Sequence, residues 1–548
     1  MTQKDEGQDT KVNDDVARHY RSEGWWADQT ILDYFDRATA AKPDAVALVS
    51  PGMPDLTFSE LDRKSRAVAR NLVAFGLRAG DVVSVQLPNW QEFVITHIAL
   101  TRVGAIINPL LPIYRRHELS YILGFAHSVL AIIPNHYRGW DYPAMYRELR
   151  AELPDLRDVF VVSETAPEGM RSFRELLRDN DHPLPPIEHD ADAVSTIIFT
   201  SGTESSPKGV VHSHNTMLYG NRAMAQLLSL TDRDVVWAPS PIAHGTGFLW
   251  GMRQALMLGA KLVLQDIWDP EEALRLIEAE RCTFTLSATP FVSMMLNSPS
   301  AGKRDTSSLK IFASAGAPIP RSLGLQAQET LGCLLIGMWG MTECFVGSAS
   351  KPDDPQEKLW GTDGCAMPGC ELAVFDDTRT RILPPGEVGE LATRGPHTAL
   401  GYFNDPERTR QTFLQDGWLF SNDLAVMDVD GYIRIVGRKK DIINRGGLKV
   451  SARELEELLL QHAKVRDVAV VSVPDARLGE KSCAFVIPSG NGEPTLPELV
   501  GFLESMNVAK YKLPEYLSIV DSMPMTPSGK VQKFKLREGF INEKKFVG

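Results

Sequence analysis

A glycine-bracketed stretch rich in hydroxyls is the first part of the chain that could do chemistry. Thr200, Ser201, Gly202, Thr203, Glu204, Ser205, Ser206, Pro207, Lys208 and Gly209 follow the apolar, β-branched run Val194 to Phe199. Gly202 and Gly209 let the backbone turn sharply, hydroxyl and N–H groups can point inward, and Lys208 adds a cation. Together these suit a polyphosphate. The order is not G-x-x-x-x-G-K-[ST], so a P-loop triphosphatase is not indicated. Taken alone, the stretch reads first as a solvated serine and threonine loop.

The flanking elements decide how such a loop is presented. Residues 214 to 230 carry Met217, Leu218, Met224, Leu227 and Leu228 at helical spacing, so the loop is expected to join a strand to a helix. Upstream, Thr57 and Glu60 form a T-x-x-E capping box ahead of Leu61, Val68, Leu72 and Phe75, a stripe that Gly76 stops. DVVSVQLPN then reads as a strand, the run from Phe93 to Leu100 as a helix and VGAIINPL as a strand. This alternation predicts an α/β sheet protein. From Cys365 to Phe403 short β-like runs broken by Pro and Gly suggest a small β subdomain or barrel. A second capping box, Ser451 to Glu454, opens a helix with Leu455, Leu458 and Leu459 on one face. Strands VRDVAVVSV and SCAFVIP, a helix near Leu496 to Met506 and strand YLSIV complete the inventory of an α/β domain of about 110 residues. The boundary falls near Arg438 to Asp441, dividing the chain into residues 1–439 and 440–548.

The whole chain sets outer limits. Its 548 residues call for more than one domain. With 43% hydrophobic and 23% charged residues, it has the composition of an ordinary globular protein. A net charge of −12 argues against a general nucleic-acid or anionic-membrane binder. The polar start MTQKDEGQDTKVNDD has neither an apolar core nor an Arg-rich pattern, so no signal or transit peptide is expected. The most apolar window, Phe93 to Pro112, contains His97, Arg102, Asn108 and Pro109, which disfavours a membrane span. A cytoplasmic protein is the expectation. Six cysteines, at 282, 333, 344, 365, 370 and 483, lack C-x-x-C or zinc spacing and are expected to be reduced and mostly buried.

The Thr200 to Gly209 loop closely resembles the phosphate-binding signature of the adenylate-forming superfamily, which includes acyl-CoA synthetases, aryl-acid ligases, nonribosomal adenylation domains and luciferases. Further segments match in the family's order over nearly the whole chain. SAGAPIP, Ser314 to Pro320, resembles its adenine-binding strand and turn, and MWGMTE, Met338 to Glu343, its aromatic-Gly-x-Thr-Glu signature. GWLFSNDLAVMDVDGYIRIVGRKKD, from Gly417, and PMTPSGKVQKFKLRE resemble the late and C-terminal signatures. Glu204 and Ser205 stand where Thr-Gly is commonest, Trp339 where Tyr is, and Ser421, Asn422 and Asp423 where Thr-Gly-Asp is.

The resemblance implies a large N-terminal domain of two αβ-sheet subdomains plus a small β-barrel, followed by a small mobile α+β domain. It implies that Thr200, Ser201, Gly202, Thr203 and Lys208 cradle the phosphates of ATP. Gly316, Ala317, Pro318, Trp339 and Gly340 would hold the adenine side, and Thr342 the α-phosphate. Glu343 would hold Mg²⁺, Asp423 the ribose hydroxyls, and Arg438 ribose or phosphate. Lys440 would be the hinge, Lys530 the catalytic lysine, and Gly446 and Gly447 would approach the thiol site after rotation. As isolated residues Trp339 reads as core, Glu343 as a surface charge and Arg438 to Lys440 as a solvated linker.

PSPIAHGTGFLW matches the family region that lines the acyl pocket, with His244 as its gate. His244, Phe248, Ser287, Ala288, Thr289, Pro290 and Ala315 could line an apolar cavity, and no acidic residue lies in the matched segment to hold an amino acid's ammonium. The expected substrate is a compact apolar acid, alicyclic such as cyclohexanecarboxylate or a short to medium fatty acid, activated by ATP with Mg²⁺ and transferred to coenzyme A. Two alternatives remain open: a ligase loading a carrier protein, and a non-catalytic nucleotide-binding sensor. A homo-oligomer also stays open.

Overall fold

A computed structural model describes residues 12, 14–184, 190–200, 207–315, 319, 321–414, 416–446, 448–475, 477–526 and 530–545, without side chains at 440 and 543–545. Two large mixed sheets form the N-terminal part. One has nine strands, whose parallel centre runs Leu334–Trp339, Ile311–Ala315, Phe284–Ser287, Val235–Ala238, Lys261–Leu264 and Val46–Val49. The other has eight strands, with Ile106–Pro109, Val82–Val85, Leu130–Pro134 and Asp158–Val162 parallel to one another. VVSV and FTLS are buried at every position, as strands covered on both faces must be. The predicted α/β class and large-plus-small division are thus realised.

The helix between the sheets is Gln91–Val103, of which every residue except Glu92 is buried. Such a helix belongs to a core on all sides, and it carries His97 and Arg102 inside with it. Gly104 ends it in the left-handed conformation at φ 72°, where its N–H meets the last carbonyls. The Thr57 to Glu60 capping box is formed as expected, opening helix Phe58–Ala74. At the second expected box only half is made. Ser451 Oγ accepts from the Glu454 N–H, while the Glu454 carboxylate turns to Lys512 Nζ at 2.7 Å.

One expectation is overturned. The Thr200 to Gly209 segment does not join strand to helix. Strand Val194–Thr200 pairs antiparallel with strand Lys208–Ser213, in register from Ile197↔Val211 to Thr200↔Lys208, and helix His214–Leu228 begins only after it. The reason lies in GVVHS, whose β-branched pair Val210–Val211 sits buried between the neighbouring strands Val194–Thr200 and Gly401–Tyr402. The two residues that flank the chemistry-bearing stretch, Thr200 and Lys208, are therefore paired across antiparallel strands.

The β region extends beyond Phe403. Strands Glu371–Phe375, Val388–Arg394, Leu419–Met427 and Ile433–Arg438 form a four-stranded antiparallel sheet. After the short 3₁₀ turn Lys439–Asp441, a five-stranded sheet with helices Ala452–Leu459, Leu496–Ser505 and Lys533–Lys545 makes the C-terminal part. Its core gathers Ile443, Val450, Leu455, Val468, Val486 and Leu499. No helix among the described residues is long and apolar enough to cross a membrane. The six cysteines are unbridged, all buried but the half-buried Cys365.

Candidate active site

Parallel strands place their C-terminal ends along one edge, and Ala315 lies beside Met338 in register. Ligands in open α/β sheets collect at that edge. There Trp339 ends its strand, and the chain folds back through Gly340 to Phe345. A methyl at Gly340 would lie 1.9 Å from the Phe345 carbonyl oxygen, so only glycine permits this return. The turn sets Thr342 and Glu343 at its outer bend.

Glu343 is only 3% exposed, and a buried carboxylate must be compensated. Lys208 Nζ lies 2.6 Å from its Oε1, and the Tyr402 hydroxyl donates to the same oxygen at 2.8 Å while accepting from Lys208 at 2.8 Å. The Lys208 ammonium also stands 4.7 Å from the Tyr402 ring centre. Burial, reinforced by Glu343, pushes the phenol well above its usual range, which keeps it a proton donor. Strand pairing of Val210 with Tyr402 brings the tyrosine there from 194 residues downstream of Lys208.

Behind the turn, His212 Nε2–H donates to the Thr342 carbonyl at 2.7 Å, and Nδ1 lies 3.1 Å from the Thr216 hydroxyl. Burial lowers this ring to about 4, so it is neutral and its tautomer follows from the two bonds. It also lies against Phe345, with centroids 4.4 Å apart.

Asp423 and Arg438 sit opposite one another on a hairpin, an Arg438 Nε to Asp423 Oδ1 contact of 3.0 Å. The other carboxylate oxygen accepts from Trp339 Nε1 at 2.8 Å. Trp339 is 5% exposed, and part of its ring covers Gly347, where a methyl would fall 2.4 Å from it.

Lys530 arrives from the C-terminal part. Its N–H donates to Thr526 Oγ1 at 2.9 Å, Thr526 N–H returns to the Lys530 carbonyl at 2.7 Å, and Met525 bridges Val531. The side chain lies in electrostatic range of Arg438, Asp423, Glu343 and His244. Although Lys530 keeps an exposed surface, protein crowds its head enough that burial, then Arg438, lowers the ammonium's pKa against the pull of Asp423 and Glu343. Three cations therefore face two carboxylates here, an excess of one positive charge suited to an anionic ligand.

His244 is half-buried, and its Nδ1 accepts from the Thr246 N–H at 3.3 Å. Burial and then Lys530 lower it to about 4, so the ring is neutral at pH 7. It opens a π-helical segment, Gly247–Arg253, that periodicity did not reveal. Gly247 approaches the Pro241 carbonyl so closely that a methyl would lie 2.3 Å away. Phe248 is buried against Phe93 and His97, Ala288 is buried, and Ala315 is half-buried.

The structure thus brings together Lys208, Trp339, Gly340, Thr342, Glu343, Asp423, Arg438, His244 and Lys530. Thr200 ends its strand opposite Lys208, with a buried hydroxyl that has no partner among the described residues. Gly446, at φ 60°, contacts Leu478, in the turn before strand Gly479–Pro488, and none of the described cleft residues. Lys440 lies in the 3₁₀ turn between the two parts. Ser201, Gly202, Thr203, Gly316, Ala317, Pro318 and Gly447 lie outside the described residues. Tyr402 and His212 were missed by sequence reasoning. HTALGYF reads only as a β-like run and VVHSH only as the end of the loop before a helix, because nothing local in them points to Glu343 or Thr342.

Comparison with known proteins adds a second line. The family "AMP-binding enzyme" matches residues 35–403 and "AMP-binding enzyme C-terminal domain" residues 454–530. A medium-chain fatty-acid–CoA ligase of Escherichia coli (strain K12) is 39% identical, covering 96% of this chain and 94% of its own. A 2,3-dihydroxybenzoate-AMP ligase of Bacillus subtilis (strain 168) is 34% identical, covering 98% of each. Among solved structures, the anthranilate CoA ligase AuaEII in complex with anthranoyl-AMP superposes with a TM-score of 0.87 at 26% identity, over 94% of this chain and 98% of that one. ATP-bound MatB from Rhodopseudomonas palustris gives 0.83 at 26% identity, over 93% and 99%.

Proposed function

We propose, from the premise that this chain belongs to the AMP-binding enzyme family and is an adenylate-forming acid ligase, that its acceptor is the thiol of coenzyme A. Its substrate is an acid with a compact or medium-length apolar body, either alicyclic such as cyclohexanecarboxylate or a medium-chain fatty acid. The acceptor and the medium-length body draw support from the E. coli relative, which is a medium-chain fatty-acid–CoA ligase. The observation that carries the mechanism is the approach of Lys530, from the C-terminal part, to Glu343, Asp423, Arg438 and His244.

In the first half-reaction a carboxylate oxygen of the acid attacks the α-phosphorus of ATP. An O–P bond forms, the bond to the bridging oxygen breaks, and pyrophosphate leaves. Two anions must meet, so positioning and charge neutralisation outweigh any need for a general base. The Lys530 ammonium lies between carboxylate and α-phosphate, and the Thr342 hydroxyl donates to the α-phosphate. Asp423 accepts from ribose hydroxyls, with Arg438 beside it. Lys208 exchanges its Glu343 contact for a phosphate oxygen, and Thr200 turns its hydroxyl to the same group. The neutral His244 ring borders the acid without adding charge.

Glu343 offers a carboxylate at the cleft, and no set of three His, Cys, Asp or Glu gathers among the described residues. That fits Mg²⁺, which is commonly held by one or two carboxylates together with substrate phosphates. When bound, Mg²⁺ neutralises triphosphate charge, and Glu343 would hold it.

In the second half-reaction the thiol attacks the acyl carbon. A C–S bond forms, AMP leaves as the C–O bond breaks, and the thiol proton passes to water. Lys530 occupies the approach, so the C-terminal part turns about Lys440 and carries Gly446 and Gly447 toward the site. Lys530→Ala should lower acid-dependent ATP–pyrophosphate exchange about 10²- to 10³-fold, while thioester formation from supplied acyl-adenylate survives. Equal loss of both steps refutes the division of labour. Acid-dependent AMP release with coenzyme A alone separates a CoA ligase from one that loads a carrier protein.

A further inference from the structure

Arg253 is a fully buried arginine at the end of the π-helical segment. A comparison within the same core makes it unusual. Buried Arg102 meets two carboxylates, Asp36 at 2.7 Å and Asp62 at 2.6 Å. Among the described residues no acidic group lies in electrostatic range of Arg253; burial acts on it, lowering its pKa to about 9, and it remains a cation at neutral pH. Its hydrogen-bond partner among the described residues is His97, with Nη1 3.2 Å from the ring Nε2.

That contact assigns the histidine tautomer. Guanidinium nitrogen can only donate, so His97 Nε2 accepts and the proton resides on Nδ1. Burial holds the ring neutral, well below its ordinary pKa. The polar atoms of this pair that have no partner among the described residues are Arg253 Nε, Arg253 Nη2 and His97 Nδ1. All three are N–H donors, and they carry a net positive charge. Buried cations and donors require acceptors, and a carboxylate supplies two acceptor oxygens and the missing negative charge.

The pair adjoins the reaction site. His97 packs on Phe248 with centroids 5.0 Å apart, and Phe248 lies four residues beyond His244 on the segment that ends at Arg253. Arg253 is also in electrostatic range of His212, which holds the Thr342 carbonyl and packs on Phe345. The Phe345 ring in turn borders Gly245, where a methyl would lie 3.3 Å from it. From His244 to Arg253 there are nine residue steps, at most roughly 14 Å at the α-helical rise per residue, a length on the scale of a medium-length carbon chain.

We propose that Arg253 and His97 form the distal end of the acid pocket and bind a second carboxylate, so that the enzyme activates medium-length dicarboxylic acids in preference to the matching monocarboxylic acids. This rests on the acid-ligase reading above and replaces the wholly apolar substrate by one with an anionic far end.

The test compares suberate with octanoate in acid-dependent AMP release, for the full-length enzyme and for Arg253→Met and Arg253→Lys. The native enzyme should favour suberate in kcat/KM. Arg253→Met should lower the suberate-to-octanoate ratio about 10- to 100-fold, and Arg253→Lys should recover part of it. Suberate without ATP should raise Tm of the native protein and not of Arg253→Met, a readout independent of catalysis. Arg253→Met is expected to fold, because a hydrophobe of similar length replaces an unpaired buried charge. An unchanged ratio, or equal loss for both acids, overturns the proposal. If neither acid, nor any other, releases AMP, the failure lies in the acid-ligase reading.

Discussion

Tyr402→Phe isolates one hydroxyl from the charge cluster around Glu343. The hydroxyl donates to Glu343 at 2.8 Å and accepts from Lys208 at 2.8 Å, both in a site where Tyr402 is 2% exposed. Hydrogen bonds to charged groups contribute about 1.5–3 kcal/mol each. The direct Lys208 to Glu343 contact of 2.6 Å survives in the variant, and phenylalanine keeps the ring beneath the ammonium. The net loss should therefore be about 2–4 kcal/mol. If this hydroxyl holds Glu343 and Lys208 for the nucleotide, that energy appears as roughly a 30- to 1000-fold fall in kcat/KM for ATP. ATP–pyrophosphate exchange measured across a Mg²⁺ titration reads it, with Tm as the control for folding. In a Glu343→Gln background the same tyrosine change should cost much less, because the charged acceptor has gone. Exchange within twofold of the native enzyme, or full additivity of the two changes, would refute the role given to Tyr402.

Two further predictions concern the scaffold. Burial depresses His212 to about 4 and His397 to about 3, below the usual unfolded value near 6.5. The unfolded chain takes up protons first as pH drops below about 6.5, so native stability should fall from there toward pH 4 and be insensitive to these groups above it. Their joint slope is up to about 2.7 kcal/mol per pH unit. Urea midpoints at pH 7, 6 and 5 measure it, and His212→Gln should flatten the slope; an unaltered slope contradicts the assignment. Gly340→Ala should destabilise the protein by about 3 kcal/mol and abolish exchange, because a methyl 1.9 Å from a backbone oxygen forces the Thr342–Glu343 turn open. Native-like Tm and activity in this variant would show that the turn yields without cost.

Much of the secondary structure was legible because its causes are local. VVSV, GAIINP and the C-terminal strands are short β-branched or apolar runs, and Thr57 with Glu60 caps a helix within four residues. Asp423 and Arg438 were each named through the family resemblance, but their pairing emerged only from the hairpin ladder that sets them opposite one another. The hairpin at Thr200 to Lys208 was misread because the helical stripe beyond residue 214 hid the β-branched GVVHS before it. The half-made cap at Ser451 likewise depended on Lys512, a distant competitor for Glu454.

Residue order alone determined the family signatures, the α/β alternation, the large and small parts, and the residue types around the cleft. Tertiary structure alone decided that Tyr402 contacts both Lys208 and Glu343, that His212 holds the Thr342 carbonyl, and that Arg253 is buried with no carboxylate among the described residues while Arg102 has two. Hydrophobic period and turn chemistry are written within a few consecutive residues, whereas partners of a buried charge are chosen by strand register and helix packing across the whole core.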